Sequence, residues 1–237
     1  MPKPEITPSS VSDSRYYKRA WNFSWIWNLQ HRPRRQIIDC FIETMLPKET
    51  DLVLDLGTAN LPEPLENIFE YYYPYKHRLI AVGIEDCTFL ETQYPGLRFV
   101  QIDAGQKLPF PDNMFDIGFS NATIEHVGAN ARQAMFLKEF ARVCRRGFVS
   151  TPNRWFPIEL HTRLPFVHWL PPRWFRALID RMGFHFYAKE ENLNLLSGRD
   201  IVGLLPVDEY MISLKRNYFL GMPSNLILVI EKIAGNR

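Results

Sequence analysis

Seven short apolar runs divide the chain, and several are separated by segments whose apolar residues recur every three or four positions. The short runs predict buried strands, and the spacing of three and four predicts helices. The first run ends at Asp55 and breaks at Gly57, which indicates a strand that turns sharply into a helix. The predicted strands are residues 52–54, 78–84, 97–102, 115–119, 148–151, 210–214 (continuing unevenly to 220) and 226–231, and the predicted helices are residues 36–46, 65–72, 132–144 and 173–182, with a short one within 87–96.

Local residue types also predict one helix end and one turn. Basic residues followed by Gly147 at positions 145–147 favour the end of the helix predicted at 132–144. The glycine and proline at 221–224 favour a turn that joins the last two strands as a hairpin.

Polar residues follow the first four predicted strands. They are Asp55, the pair Glu85 and Asp86, Asp103, and Asn121. The carboxyl ends of parallel strands meet at one edge of a sheet, where ligands of open α/β proteins bind, so these residues are expected to line one crevice. The alternative is that the acidic residues only cap the helices that follow.

Four stretches of the sequence resemble motifs of one enzyme family. Residues 53–57 and 81–85 resemble the first and second motifs of class I S-adenosylmethionine-dependent methyltransferases that act on small molecules, and residues 101–116 and 124–127 resemble later ones. The resemblance covers roughly residues 50–155. It implies an α/β, Rossmann-like class I methyltransferase fold: a seven-stranded, mostly parallel sheet with one antiparallel member near its end and helices on both faces.

The resemblance also implies a binding site for S-adenosylmethionine. Glu85 would accept hydrogen bonds from the ribose hydroxyls and Asp103 from the adenine amine, because carboxylates are the natural acceptors for these donors. The backbone of Ala104 would meet the ring edge, and Asp55 and Gly57 would border the amino-acid part of the cofactor. The cofactor-binding set implied in this way is Asp55, Gly57, Thr58, Glu85, Asp103, Ala104 and Asn121.

The first motif departs from the family pattern because Thr58, Ala59 and Asn60 stand where further glycines are expected. This departure supports a rival function, a catalytically silent binding subunit that keeps the fold without the cofactor. The acidic series Asp55, Glu85 and Asp103 opposes that rival.

His126 is a candidate base near the reactive methyl group, because it follows the fourth strand and an imidazole with an ordinary pKa of about 6.5 accepts protons near pH 7. The alternative is that Glu125 and His126 only fix the loop or cap a helix.

Residues 154–185 form a long insertion that we expect to cap the acceptor site, since long loops on a rigid scaffold often carry function. Glu159, His161 and His168 within it could position or deprotonate an acceptor. The catalytic candidates are therefore His126, His161 and Glu159, and the presence of two histidines favours an oxygen acceptor on a small molecule. Glu159, His161 and His168 could instead bind a metal with the help of another carboxylate, but the ligand spacing matches no firm signature, so no metal site is predicted. The alternative is that the prolines and aromatic residues of this segment only pack a rigid loop and have no catalytic role.

Composition excludes little. A net charge of +2 gives no reason to expect nucleic acid as a partner, and three separated cysteines argue against a disulfide framework or a zinc site. The sequence shows no signal peptide or membrane-spanning run, so we expect a cytoplasmic protein. We expect a mobile tail at residues 1–14 and one methyltransferase domain at 15–237, with an N-terminal lid at 15–47.

Arginines interleave with aromatic residues twice, at residues 15–35 and around Trp169, Trp174 and Arg173. Such stretches are typical of a surface that touches anionic lipid, so peripheral membrane contact with a lipid-linked acceptor is a further hypothesis. The alternative for residues 15–35 is an amphipathic segment whose aromatics join the core while its arginines stay in water.

Overall fold

The computed structural model describes the backbone of residues 24–62 and 66–233 and the side chains from residue 32 onward. The predicted tail at residues 1–14 lies outside the described residues. The helices are α1 (Ser24–Met45), α2 (Ile68–Tyr72), α3 (Phe89–Gln93), α4 (Asn130–Val143), α5 (Pro172–Arg181) and α6 (Gly198–Val202), and the strands are β1 (Val53–Leu56), β2 (Leu79–Gly83), β3 (Arg98–Gln101), β4 (Phe115–Asn121), β5 (Cys144–Pro152), β6 (Tyr210–Phe219) and β7 (Met222–Lys232).

The seven strands form one sheet in the order β3-β2-β1-β4-β5-β7-β6. Strands β1 to β5 pair in parallel, and β7 runs antiparallel to both β5 and β6. The predicted seven-stranded, mostly parallel sheet is therefore confirmed. Because the sheet is parallel from β1 to β5, the carboxyl ends of these strands lie along the same edge.

Helices cover both faces of the sheet, as predicted. On one face α1, α2 and α3 pack against side chains of β1, β2, β4 and β5, and the ring of Phe41 lies 5.0 to 5.5 Å from those of Phe69, Phe119 and Phe148. On the other face α4 and α6 pack through residues such as Leu137 and Ile201. The central strands are thereby shielded from water on both sides, which explains their continuous apolar character.

Helix α1 is longer than the predicted helix at 36–46, since it begins at Ser24 and includes Pro33. Its spacing of Ile37, Ile38, Phe41 and Met45 places these four buried residues on the sheet side. None of the helices in the described parts of the chain combines the length and the apolar character needed to span a bilayer.

The predicted helix end at residues 145–147 is wrong. Helix α4 ends at Val143, and the next residue already belongs to β5. Gly147 is needed for a different reason: a Cβ atom there would lie 2.6 Å from the ring of Phe140, and one at its β4 partner Gly118 would be equally close. The two glycines leave room for the Phe140 ring against β4 and β5.

The predicted hairpin between the last strands is present, but its turn is shorter. Leu220 and Gly221 alone connect β6 to β7, with φ angles of 51° and 76°. Positive φ at both positions is the geometry of a two-residue type I′ turn. Residues 222–224, predicted as part of the turn, belong to β7.

The turn after β1 is held by close contacts at Gly57. The Gly57 amide donates to the carbonyl of Val82 at 2.8 Å, and its φ angle is 108°. A Cβ atom at this position would overlap the hydroxyl of Thr123 and lie 2.6 Å from its Cγ2. Both the backbone conformation and the packing therefore require glycine.

Two carboxyl groups are buried together between β1 and α2. Asp55 is 5% exposed and Glu70 is 2% exposed. Burial raises the pKa of Glu70 to about 7, and burial together with the neighbouring Glu70 raises the pKa of Asp55 well above its usual value. The pair therefore favours a shared proton over two negative charges.

We expect Gly57→Ala to lower the free energy of unfolding by about 2 to 4 kcal/mol, the sum of left-handed strain and steric overlap. Gly221→Ala is the matched control, because that glycine also has a positive φ but has no atom within 4 Å of the position that a Cβ would occupy. It should cost only about 1 kcal/mol. Urea unfolding checks both, and equal losses would contradict the contact with Thr123.

We expect the stability of the protein to fall as pH rises from about 4.5 through about 7, because Glu70 must then lose its proton inside the fold. Glu70→Gln removes this titration. The variant should match the wild type near pH 5 and be more stable by about 3 kcal/mol near pH 8. Denaturant unfolding at both pH values measures the difference, with Glu43→Gln, at an exposed position on α1, as the control. A pH-independent difference would contradict the assignment.

Candidate active site

The residues predicted to bind the cofactor lie along the carboxyl edge of β1 to β4. Gly57 follows β1, Glu85 follows β2 and is half-buried, Asp103 follows β3 and is exposed, and Asn121 ends β4. The four strands are parallel neighbours, so their ends form one continuous edge. Ala104, next to Asp103, is also exposed there.

Local hydrogen bonds distinguish the acidic residues at this edge. Asp86 accepts from the amide of Thr88 at 2.9 Å in a local turn ahead of α3, although its side chain does not cap that helix. Its neighbour Glu85 is the less exposed of the two. Asp103 accepts from the side-chain amide of Gln106 at 3.0 Å.

The other two members of the predicted set, Asp55 and Thr58, have buried side-chain oxygens, and Asn121 is also bonded to the neighbouring strand β5. The Asp55 carboxyl lies buried beside Glu70 instead of on the open edge. The Thr58 hydroxyl is buried against Gly83, where a Cβ atom would lie 2.6 Å from its oxygen. Asn121 accepts a hydrogen bond from the hydroxyl of Ser150 through its side-chain oxygen, which ties the end of β4 to β5.

The three predicted catalytic residues form one hydrogen-bonded chain. The Nδ1 atom of His161 lies 2.7 Å from Oε1 of Glu159, and its Nε2 atom lies 3.1 Å from Nε2 of His126. His126 in turn places Nδ1 2.7 Å from the carbonyl oxygen of Asn192. The fold thus brings together residues 35 positions apart in the sequence.

The carboxylate of Glu159 serves as an acceptor for its own turn. It receives the amides of His161 and Thr162 at 3.0 and 2.6 Å and the Thr162 hydroxyl at 2.7 Å, besides facing the His161 ring. Burial opposes its charge, but the bonds from His161 and Thr162 prevail and lower the pKa of Glu159 to about 2. Glu159 is therefore ionised and orients His161.

The two histidines differ in their affinity for a proton. Burial, together with the charge of His161, lowers the pKa of His126 to about 4. Burial also opposes a charge on His161, but Glu159 outweighs it and raises the pKa of His161. The prediction that His126 acts as a base assumed an ordinary pKa. That assumption is wrong for this buried position.

Glu125 is a fourth member of this cluster. It is fully buried, and its Oε2 atom accepts the Thr151 hydroxyl at 2.8 Å, while Oε1 has no hydrogen-bond partner in the described part of the chain. Burial raises the pKa of Glu125 to about 6. From the sequence, Glu125 was predicted only to fix the loop beside His126. Its burial against Thr151 of β5 is visible only in the tertiary structure.

A segment after the insertion fixes the turn that carries Glu125 and His126. The amide of Asn194 donates to the Glu125 carbonyl at 2.7 Å, and the side chain of Gln133 donates to the carbonyls of Ile124 and Asn194. Sequence reasoning missed these contacts, because backbone carbonyls carry no residue-type signal. The contacts also agree with the alternative in which Glu125 and His126 help to fix this loop.

His168 does not join the cluster. Its Nε2 atom lies 2.7 Å from the Phe156 carbonyl inside the insertion, where the side chain is buried. This histidine packs inside the loop, in agreement with the alternative in which residues of the insertion serve to pack a rigid loop.

Comparisons with known proteins fit this geometry. Residues 69–149 match the family model described as a methyltransferase domain, whereas a search of curated proteins gives no match. Among solved structures, the chain is similar to 1,6-didemethyltoxoflavin N1-methyltransferase of Burkholderia thailandensis, with a TM-score of 0.59 and 14% identity over 98% of this chain and 93% of that one.

Two further solved structures share the fold at low identity. Geranyl diphosphate C-methyltransferase of Streptomyces coelicolor gives a TM-score of 0.56 and 9% identity over 86% of this chain and 80% of that one. Magnesium protoporphyrin IX methyltransferase of Synechocystis gives 0.54 and 13% over 92% of each chain. Residues 69–149 thus match a methyltransferase domain, and the order of strands in the sheet is that of the class I S-adenosylmethionine-dependent methyltransferase fold.

Proposed function

We propose that this methyltransferase transfers the methyl group of S-adenosylmethionine to an oxygen atom of a small-molecule acceptor. The observation that carries the proposal is the chain from Glu159 through His161 to His126. It ends in the turn whose Thr123 packs against Gly57, so it adjoins the edge assigned to the cofactor.

The cofactor assignment draws support from the similar structures. Those from Burkholderia thailandensis and Streptomyces coelicolor contain S-adenosylhomocysteine, and the Synechocystis enzyme has been solved with S-adenosylhomocysteine and with S-adenosylmethionine. In this chain Glu85 would accept from the ribose hydroxyls and Asp103 from the adenine amine, both at the open edge.

The residues of the cluster suit an oxygen acceptor. In the transfer, a bond forms between the acceptor oxygen and the methyl carbon as the carbon–sulfur bond breaks, and the hydroxyl must also lose its proton. A neutral amine is already nucleophilic, whereas a hydroxyl needs a nearby group that takes its proton or stabilises its anion. Two imidazoles and two buried carboxyls at one point provide such groups, with Glu159 as the positioning residue.

The insertion at residues 154–185 is the proposed cap, since it supplies Glu159 and His161. We also propose that residues 15–47 form a lid, of which the structure describes residues 24–47. Within α1, Arg34 is close enough for its charge to lower the proton affinity of His161, whereas Phe41 and Met45 pack on the sheet. The helix would thus connect the sheet face to the site.

We expect wild-type protein to bind S-adenosylhomocysteine with micromolar affinity in titration calorimetry. Glu85→Ala and Asp103→Ala should each weaken binding about 10-fold or more, because each removes a hydrogen bond to a carboxylate. Asp86→Ala is the matched control, since the carboxylate of this neighbouring acid is used in a local hydrogen bond from the amide of Thr88.

Equal binding by the control and the two variants would contradict the adenosine assignment. Failure of folded wild-type protein to bind would favour the silent binding subunit. Once binding is established, release of S-adenosylhomocysteine in the presence of hydroxylated or amine compounds tests the oxygen acceptor directly. Turnover of amines alone would contradict it.

Peripheral membrane contact is a second candidate, favoured by an exposed aromatic face on the cap. Trp155, Phe166, Trp169 and Trp174 are each 40 to 60% exposed. The guanidinium groups of Arg154 and Arg173 lie 5.8 Å from the ring centres of the adjacent tryptophans. Amphipathic aromatics flanked by arginines suit an interface with anionic lipid.

We expect the protein to sediment with anionic vesicles at low salt, and Trp174→Ser with Trp169→Ser to reduce the bound fraction several-fold because apolar area is lost. Val207→Ser, at an exposed position that precedes the opposite end of β6, should leave it unchanged. Absence of wild-type sedimentation would remove this candidate.

A further inference from the structure

We propose that His126, His161 and Glu125 bind one divalent transition-metal ion, with Zn²⁺ as the representative case. Their ligand atoms lie within 4.8 Å of one another. The proposed metal binding stands on these residues alone, and only its use on the acceptor rests on the proposed function.

The hydrogen bonds of the two histidines fix where their protons lie. The Asn192 carbonyl can only accept, so Nδ1 of His126 carries hydrogen. The Glu159 carboxylate is already an acceptor for three other donors, so Nδ1 of His161 also carries hydrogen. Both neutral rings would then point bare Nε2 lone pairs at each other across 3.1 Å. The close contact therefore calls for a cation, either a proton on one Nε2 atom or a metal ion within bonding distance of both.

A proton could bridge the two imidazoles, but it would leave Glu125 unsatisfied. Oε1 of Glu125 is buried and has no hydrogen-bond partner in the described residues, which is costly for a carboxyl oxygen. A metal ion accounts for all three groups at once, because it accepts both Nε2 lone pairs and one carboxylate oxygen. This orphaned oxygen is the observation that favours a metal over a proton.

The separation of the nitrogens suits a shared metal. Metal–nitrogen bonds of about 2.1 Å would span the distance between the two Nε2 atoms at an angle of about 95°. Bringing in the Glu125 oxygen requires a small closing movement. Histidine with carboxylate ligands is typical of zinc and of other first-row metals such as iron and cobalt.

Each proposed ligand is held by a second group, as metal ligands in proteins usually are. Glu159 holds His161, the Asn192 carbonyl holds His126, and the Thr151 hydroxyl holds Glu125. This support positions each ligand atom before a metal arrives. The partial exposure of both histidines leaves a route for entry.

Three protein ligands leave a coordination position open for an oxygen atom of the acceptor. Bound there, a hydroxyl would lose its proton to solvent more easily, and its oxygen would face the methyl group as an anion. This refines the acceptor class to hydroxylated molecules that can ligate a metal, such as phenols.

The test uses the full chain without a histidine tag, stripped with a chelator and then titrated with Co²⁺ while visible absorption is recorded. Zn²⁺ competition follows. We expect one ion per chain, with affinity at least about 100-fold weaker in His126→Gln and Glu125→Gln and about 10 to 100-fold weaker in Glu159→Gln, which changes only a supporting group.

His185→Gln is the matched control. His185 and Asp180 form another histidine–carboxylate pair at 2.7 Å, but it stands outside the cluster and is largely exposed, so its loss should not change the affinity. Circular dichroism verifies folding, and His161→Gln replaces any variant that does not fold.

The proposal is overturned if folded wild-type protein binds no metal, or if His126→Gln and His161→Gln bind it as tightly as wild type. Calorimetry with S-adenosylhomocysteine on the same samples separates the two proposals. Retained cofactor binding without metal binding overturns the metal site alone. Metal binding without cofactor binding overturns the methyltransferase assignment and leaves the metal site in place.

Discussion

The contact between Thr123 and Gly57 is the constraint on which the site depends. It joins the turn after β4 to the turn after β1, and it is possible only because position 57 lacks a side chain. The residues that follow Thr123 are thereby carried to the edge of the sheet, where Glu125 and His126 meet the cap. A single small residue in this way determines both the path of the turn after β1 and the position of the polar cluster.

The cluster is assembled from elements that cannot be stable there separately. Buried carboxyls and imidazoles are costly unless each is paired, and here the turn after β4, the cap and the segment around Asn192 supply partners to one another. The Glu159 carboxylate accepts hydrogen bonds from its own turn. His126 and His161 each have a partner at Nδ1, and their Nε2 atoms face each other. Residues 154–185 therefore contact the turn after β4 through this pair of imidazoles.

The fold alone does not select the acceptor. The similar structures transfer methyl groups to nitrogen in one case and to carbon in another, yet they share this architecture. Function in such folds resides in side chains added to a common scaffold. In this chain the distinctive additions are the cap and the two histidines, so acceptor chemistry is best sought there.

The sequence by itself determined the strands and the acidic strand ends, because apolar runs and the polar residues that follow them are local signals. It also supplied the candidates His126, His161 and Glu159. It misplaced the end of α4, since only packing shows that Gly147 accommodates Phe140. Only the tertiary structure decided that the candidates meet, that His126 has a low proton affinity and that Glu125 faces them. These properties depend on burial and on contacts between distant segments, which no local pattern encodes.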